Sequence, residues 1–121
     1  MINYGHTHEV YAAAETDTGA VWTDGKPIYR RTVTFGAVAA GGEASVSLEL
    51  CANLDTVVSI RGMAVMADAS FVIPLPMAQQ NDAYVYWVQV KNAATDPVVT
   101  LAAGSGAGIS SAFVVVEYTK K

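Results

Sequence analysis

The sequence predicts an all-β domain, an antiparallel β-sandwich of the jelly-roll type. Seven runs rich in β-branched and aromatic residues recur at roughly ten-residue spacing, the pattern of a sandwich or barrel. Strong turn signals separate them, foremost Asp24-Gly25, Ala39-Ala40-Gly41-Gly42 and the stretch Gly104-Ser105-Gly106-Ala107-Gly108. Helical periodicity is missing: Ala12-Ala13-Ala14-Glu15 has helix-forming composition, but four residues cannot sustain a helix alone.

Taken in order, residues 1–21 carry little strand patterning and are read as an extended arm, with the sandwich domain occupying residues 22–121. Trp22, Asp24, Gly25 and Pro27 form the structural anchor that opens the domain. Asp-Gly favours a tight turn because Gly accepts positive φ and Asp hydrogen-bonds its own backbone downstream. Pro27 fixes φ and suits the first position of a strand, here Ile28–Phe35. Burying the Trp22 indole removes about 150–250 Å² from water, an upper-bound gain of about 4–6 kcal/mol, so Trp22 is expected to pin the arm to the body.

Ser45–Leu50 alternates strictly, with Val46, Leu48 and Leu50 on one face, which predicts a half-buried strand. Thr56–Met66 is longer and apolar on both faces, and Gly62 interrupts it as a bulge or a close backbone approach does. Phe71–Ile73 is a short strand stopped by Pro74-Leu75-Pro76, followed by a polar loop over Gln79–Asp82. Tyr84–Val90 follows, with Tyr84, Tyr86, Val88 and Val90 on one face and Val85, Trp87 and Gln89 on the other. Val98–Leu101 and Ile109–Tyr118 complete the set. In the last, Phe113-Val114-Val115-Val116 covers both faces, so that strand is expected to be central or to face another subunit.

Composition bounds function. At 121 residues the chain is one domain. Charged residues are only 15% of it against about 25% in ordinary soluble domains, a surplus of apolar surface that suggests subunit contacts. No apolar run approaches the roughly 18 residues of a membrane-spanning helix. The net charge of −4 and the scattered basic residues remove the electrostatic footprint of nucleic-acid binding. Cys51, the single cysteine, allows no internal disulfide and is expected to be a small buried hydrophobe. Met1–His8 lacks a basic region followed by an apolar stretch, from which no secretory leader and folding in a cytoplasm are expected.

The segment Trp22-Thr-Asp-Gly-Lys-Pro-Ile-Tyr-Arg-Arg-Thr-Val33 resembles a W-x-D-G-K-P-I/L-Y-R/K-K/R-T stretch of bacteriophage and prophage tail-fibre, receptor-binding and minor structural proteins. Ala52–Ala64 and Ser111–Lys120 are similar to the same family, in the same order and spacing. The resemblance implies a virion β-domain that is not an enzyme, trimeric, in contact with other virion proteins and with a host cell-surface glycan. Twenty-one residues precede Trp22, with no stalk, which raises the expectation of a separate small virion protein decorating capsid or tail, or of a subunit attached through its arm. A free-standing carbohydrate-binding module is the alternative.

Three constellations carry candidate chemistry. His6 and His8 point to one side of an extended chain, so three chains on a threefold axis could offer six imidazoles to one octahedral metal; the plainer reading is a solvated polar arm with no cofactor. Tyr86 and Trp87 beside Asn81 and Asp82 combine aromatic faces with hydrogen-bonding groups, as a sugar site needs, although an aromatic strand equally serves a core. Arg30 and Arg31 point to opposite faces of one strand and, with Arg61, are read as surface charge or as interface groups, one of them facing a carboxylate. Catalytic frameworks are missing: there is no Gly-x-Ser-x-Gly or His-Glu-x-x-His, and Asp17, Asp24, Asp55, Asp68, Asp82 and Asp96 sit in or beside expected loops. Gly104–Gly108 leads into a strand, so it has no helix N-terminus with which to cradle a phosphate.

Overall fold

A computed structural model describes residues 11–67, 72–78 and 85–121. Among them run nine strands: β1 (Thr16–Val21), β2 (Pro27–Phe35), β3 (Glu43–Ser47), β4 (Leu54–Met66), β5 (Val72–Leu75), β6 (Met77–Ala78), β7 (Val85–Lys91), β8 (Val98–Ala102) and β9 (Ile109–Lys120). They form two antiparallel sheets, ordered β1-β2-β9-β4-β5 and β3-β8-β7-β6, the last strand contributing only two residues. The fold is an all-β sandwich; the strand orders do not establish a jelly roll.

The opening turn forms as its residues dictate. Gly25 takes φ +86°, its amide donates to the Trp22 carbonyl at 2.9 Å, and the Lys26 amide donates to the Asp24 carboxylate at 3.0 Å. Pro27 is the first residue of β2. The arm, however, is a strand in its second half: Thr16 pairs with Arg30, Asp17 with Tyr29 and Val21 with Pro27, so β1 and β2 are a hairpin about this turn. Trp22 is only half-buried and stands outside the core, so the expected anchoring by indole burial is replaced by hairpin pairing.

The core lies between the sheets. Val33 and Phe35 of β2, Ala64 and Met66 of β4, Ile73 and Leu75 of β5, and Val114, Val116 and Tyr118 of β9 face Tyr86 of β7 and Val99 and Leu101 of β8. Each such aliphatic side chain contributes about 1.5–3 kcal/mol by leaving water. Tyr118 and Tyr86 are both fully buried; the Tyr86 hydroxyl donates to the Ala107 carbonyl at 2.7 Å, satisfying its polar end.

Three local differences from the sequence reading have physical causes. β3 ends at Ser47, three residues early, because Glu49 adopts φ +59°; the kink still delivers Leu48 and Leu50 to the core. Cys51 is exposed, since it sits in the same kinked loop at φ +44°, where the chain turns outward. β5 runs through Pro74 to Leu75, which an edge strand tolerates because an edge amide need not donate. Asp17 and Asp55 also lie within strands.

Gly62 is a close approach. Its partners are Val114 and Leu75, and a Cβ built there would stand 2.2 Å from the Phe113 carbonyl oxygen. Gly62→Ala is therefore expected to cost about 1–3 kcal/mol through overpacking. Gly36→Ala, where a Cβ meets nothing within 4 Å, is expected to stay within about 0.5 kcal/mol of the parent. Urea midpoints of the two variants check this; equal midpoints contradict the contact.

Candidate functional site

The two outer faces of the sandwich differ in chemistry. On the smaller sheet, strand register places Glu43, Ala102 and Trp87 in one cross-strand row, Ser45, Thr100 and Gln89 in the next, and Ser47, Val98 and Lys91 in a third. Polar contacts hold these rows: Ser45 Oγ and Thr100 Oγ1 are 2.8 Å apart, and Lys91 Nζ lies 3.2 Å from Glu43 Oε1. Two of the three rows are polar, although Thr100 and Ala102 of the central strand are themselves buried.

The larger sheet is different. Its outward rows read Arg30, Glu117, Ser59; then Thr32, Val115, Arg61; then Thr34, Phe113, Met63, Pro74; then Ser111, Val65, Val72. Two of these rows are largely apolar, and Phe113 and Val72 stand 42% and 53% exposed. A groove of about 700 Å³ runs over Thr32, Thr34, Arg61, Met63, Phe113 and Val115, with Tyr11 on its wall. A second hollow of about 330 Å³ continues from it over Val65, Val72 and Ser111.

An ion cluster closes one end of this face. Arg30, almost wholly buried, sets Nε at 2.8 Å and Nη2 at 2.6 Å from Glu117 Oε2, while its guanidinium carbon lies 4.6 Å from the Tyr11 ring centre. Arg61 Nη1 reaches Glu117 Oε1 at 3.9 Å and is 46% exposed. The carboxylate expected to face one of the arginines is thus Glu117, in the same chain. Thr32 Oγ1 is buried beside the groove with no hydrogen-bond partner among the described residues.

A polar hollow of about 370 Å³ lies at the other edge, lined by Glu15, Arg31, Glu49, Asn53 and Lys120. Arg31 spends its donors on backbone carbonyls, Nε to Ala13 at 2.8 Å and Nη1 to Leu48 at 2.6 Å, tying arm and β3–β4 loop to β2. Glu15 accepts from the Tyr118 hydroxyl and from Lys120 Nζ, each at 2.7 Å, and Lys120 in turn lies 4.3 Å from the Tyr29 ring centre. Burial alone raises the Glu15 carboxyl, but the hydrogen bonds from Lys120 and Tyr118 outweigh it and hold the group below its ordinary value. Burial, then the bond to Glu15, pushes the Tyr118 hydroxyl far up, so it stays protonated. These groups fasten the arm to β9 and have no poised acid or base among them.

Of the residues singled out in the sequence, Tyr86 belongs to the core and offers no ring face to a ligand. Trp87 points outward from the opposite side of β7, half-buried, with Lys91 Nζ 5.8 Å from its ring centre. An apolar hollow of about 370 Å³ adjoins it, walled by Pro76, Met77 and Val85. Asn81, Asp82, His6 and His8 lie outside the described residues, as do Asp68 and Phe71. Among the described residues, no group of three or more His, Cys, Asp or Glu is gathered to hold a metal.

Comparison with known proteins adds no relative: no family model, no curated protein and no solved structure matches the chain. Of the outer face of the larger sheet, the sequence indicates only that Ile109–Tyr118 is central or faces another subunit, and the strand is central. The signal of that face was present in Phe113–Val116 and in the two-faced apolar pattern of Thr56–Met66, which belong to the adjacent strands β9 and β4.

Two measurements follow from the ion contacts. Because folding depresses the Glu15 carboxyl, the unfolded chain takes up its proton first; the stability Glu15 contributes is present above about pH 4.5 and is lost as pH falls through the folded-state value. Melting curves between pH 7 and pH 3 are expected to show a smaller acid-induced fall for Glu15→Gln than for the parent. Glu117→Ala removes the carboxylate from a buried arginine and is expected to cost about 3 kcal/mol by chemical denaturation. A loss below about 0.5 kcal/mol, as at an exposed pair, contradicts that account.

Proposed function

We propose that this chain is a structural component of a bacteriophage virion, an oligomer of tail-fibre or baseplate type that serves particle assembly and host recognition. The observation that carries the reading is the outward face of the larger sheet, apolar where a solitary sandwich is normally polar. The charged fraction of 15% agrees with burial between subunits. The biological assignment rests on the resemblance of Trp22–Val33, Ala52–Ala64 and Ser111–Lys120 to phage tail-fibre and minor structural proteins, which implies threefold assembly. The work of such a part is mechanical: it needs a rigid two-sheet body, and neither the polar hollow nor the apolar groove gathers catalytic groups among the described residues.

Host contact is assigned to the small-sheet side around Trp87. An indole beside an open apolar hollow, with Glu43 across the small Ala102 in the same row, suits the apolar face and hydroxyls of a pyranose. The same feature supports the alternative, a free-standing lectin-like module with no particle.

Particles purified from cultures that produce this chain are expected to bind gold-labelled antibody against it at a repeated position in electron micrographs. Particles without label, from a culture whose soluble fraction contains the chain, contradict the virion assignment. For the recognition role, the purified protein is expected to bind glycans on an array and Trp87→Ala to weaken binding at least about tenfold, the effect of losing one well-stacked aromatic contact of ~1.4 kcal/mol. An unchanged array profile removes Trp87 from the site.

A further inference from the structure

We propose that the groove over Thr32, Thr34, Met63 and Phe113 is covered by the first ten residues of the same chain, Met1–Val10, laid across it as an extended strap. The inference does not rest on the virion reading: it concerns a single chain, and the Val65–Val72 end of the smaller hollow stays open to the subunit contacts of that reading.

Attachment is the first observation. The described chain begins at Tyr11, whose side chain already stands on the groove wall with the Arg30 guanidinium carbon 4.6 Å from its ring centre. The two residues after it are tied to β2, the Thr32 amide donating to the Ala12 carbonyl at 2.9 Å and Arg31 Nε to the Ala13 carbonyl at 2.8 Å. The preceding segment therefore starts at the groove itself. Ten residues reach at most about 33 Å, whereas two rows about 6.8 Å apart on three strands about 4.8 Å apart measure less than about 20 Å across.

The pattern of the segment is the second. Strand formers are sparse over residues 1–21 as a whole, but the first ten residues alternate. In an extended chain Ile2, Tyr4, His6, His8 and Val10 share one side, and Asn3, Gly5, Thr7 and Glu9 the other. One side thus carries aliphatic and ring side chains that gain by leaving water, and Met63, Phe113 and Val115 offer the apolar bed.

Charge and hydrogen bonding select this occupant over others. The face carries Arg30, Arg61 and Glu117, two positive charges and one negative, so its own copy is repelled. Residues 1–10 contain no Lys or Arg and one Glu. Glu9 is two residues from Tyr11, about 7 Å of extended chain. Arg61 lines the same groove, is 46% exposed and meets Glu117 only at 3.9 Å, which leaves donors for a second carboxylate. Thr32 Oγ1, buried beside the groove without a partner among the described residues, can be satisfied by a peptide group but not by a hydrocarbon tail.

The test is the rate at which Ellman's reagent labels single cysteines in the full chain, with exposed Cys51 replaced by Ser. Met63→Cys and Thr34→Cys report on the groove; Val21→Cys, 65% exposed on β1, is the control. Each is compared with the same chain carrying Ile2→Ser, Tyr4→Ser and Val10→Ser together. The groove cysteines are expected to react at least about fivefold more slowly with the native segment than with the serine segment, at 1 and at 100 μM protein alike, while Val21→Cys reacts equally in both. Equal rates at both groove positions overturn the proposal and leave the oligomeric reading standing. Protection that fades on dilution assigns the cover to a neighbouring copy and also overturns it. Should Met63→Cys fail to fold by circular dichroism, Thr34→Cys, at an exposed position of β2, decides.

Discussion

The pairing of β9 on both sides is the constraint from which the larger sheet follows. Seven consecutive residue pairs join it to β2, and a longer ladder joins it to β4. Because side chains alternate with a period of two, the register of this one strand decides what enters the core and what faces out. Val114, Val116 and Tyr118 go inward; Phe113, Val115 and Glu117 go outward. A slip of one residue in β9 would drive Glu117 into the core, away from its arginine partners on β2 and β4, and expel Tyr118. The close fit at Gly62 blocks such a slip, since only a residue without Cβ passes the Phe113 carbonyl in this register. The Arg30–Glu117 pair reinforces it from the other face, joining neighbouring strands at directly opposed positions.

Much of this was legible in the chain. The Asp24-Gly25 turn, the start of β2 at Pro27, the close approach at Gly62 and the two faces of β7 all follow from local stereochemistry, which acts over two to four residues. What escaped was long-range. β1 is composed of Thr, Asp, Gly, Ala and Val and has no apolar alternation; it is a strand because β2 offers it a free edge and Arg31 holds the preceding backbone at Ala13. Residue type predicts a buried Cys51, but three positive φ values within four residues, at Glu49, Cys51 and Ala52, turn it to solvent. The size of the Trp22 ring predicts an anchor, whereas the hairpin around it already supplies the attachment. Ion partners are the least legible class, since Glu117 and Arg30 lie 87 residues apart.

The candidate sites divide along the same line. Trp87 and Tyr86 are adjacent in sequence, and the sheet sends them to opposite sides: Tyr86 becomes a structural post with its hydroxyl capped by Ala107, and Trp87 remains at the surface. Pattern alone states that the two diverge but not which is inside. The apolar outer face required two separate runs, in β4 and β9, to be placed side by side before either meant more than a buried strand. A surface of this kind is a property of pairing, and no single segment contains it.

Pro74 gives the outer edge of the larger sheet a further meaning. A sheet that ends in a regular strand offers a ladder of amides onto which any extended chain can add, and repeated addition leads to open-ended fibres. β5 is four residues long and one of them has no amide hydrogen, so hydrogen-bonded growth is interrupted at that edge. The opposite edge, β1, carries an irregular register between Asp17 and Val21, which twists it away from a flat ladder. The outer face between these edges adds no template of its own, because the amides and carbonyls of β2, β9 and β4 are spent within the ladders beneath it.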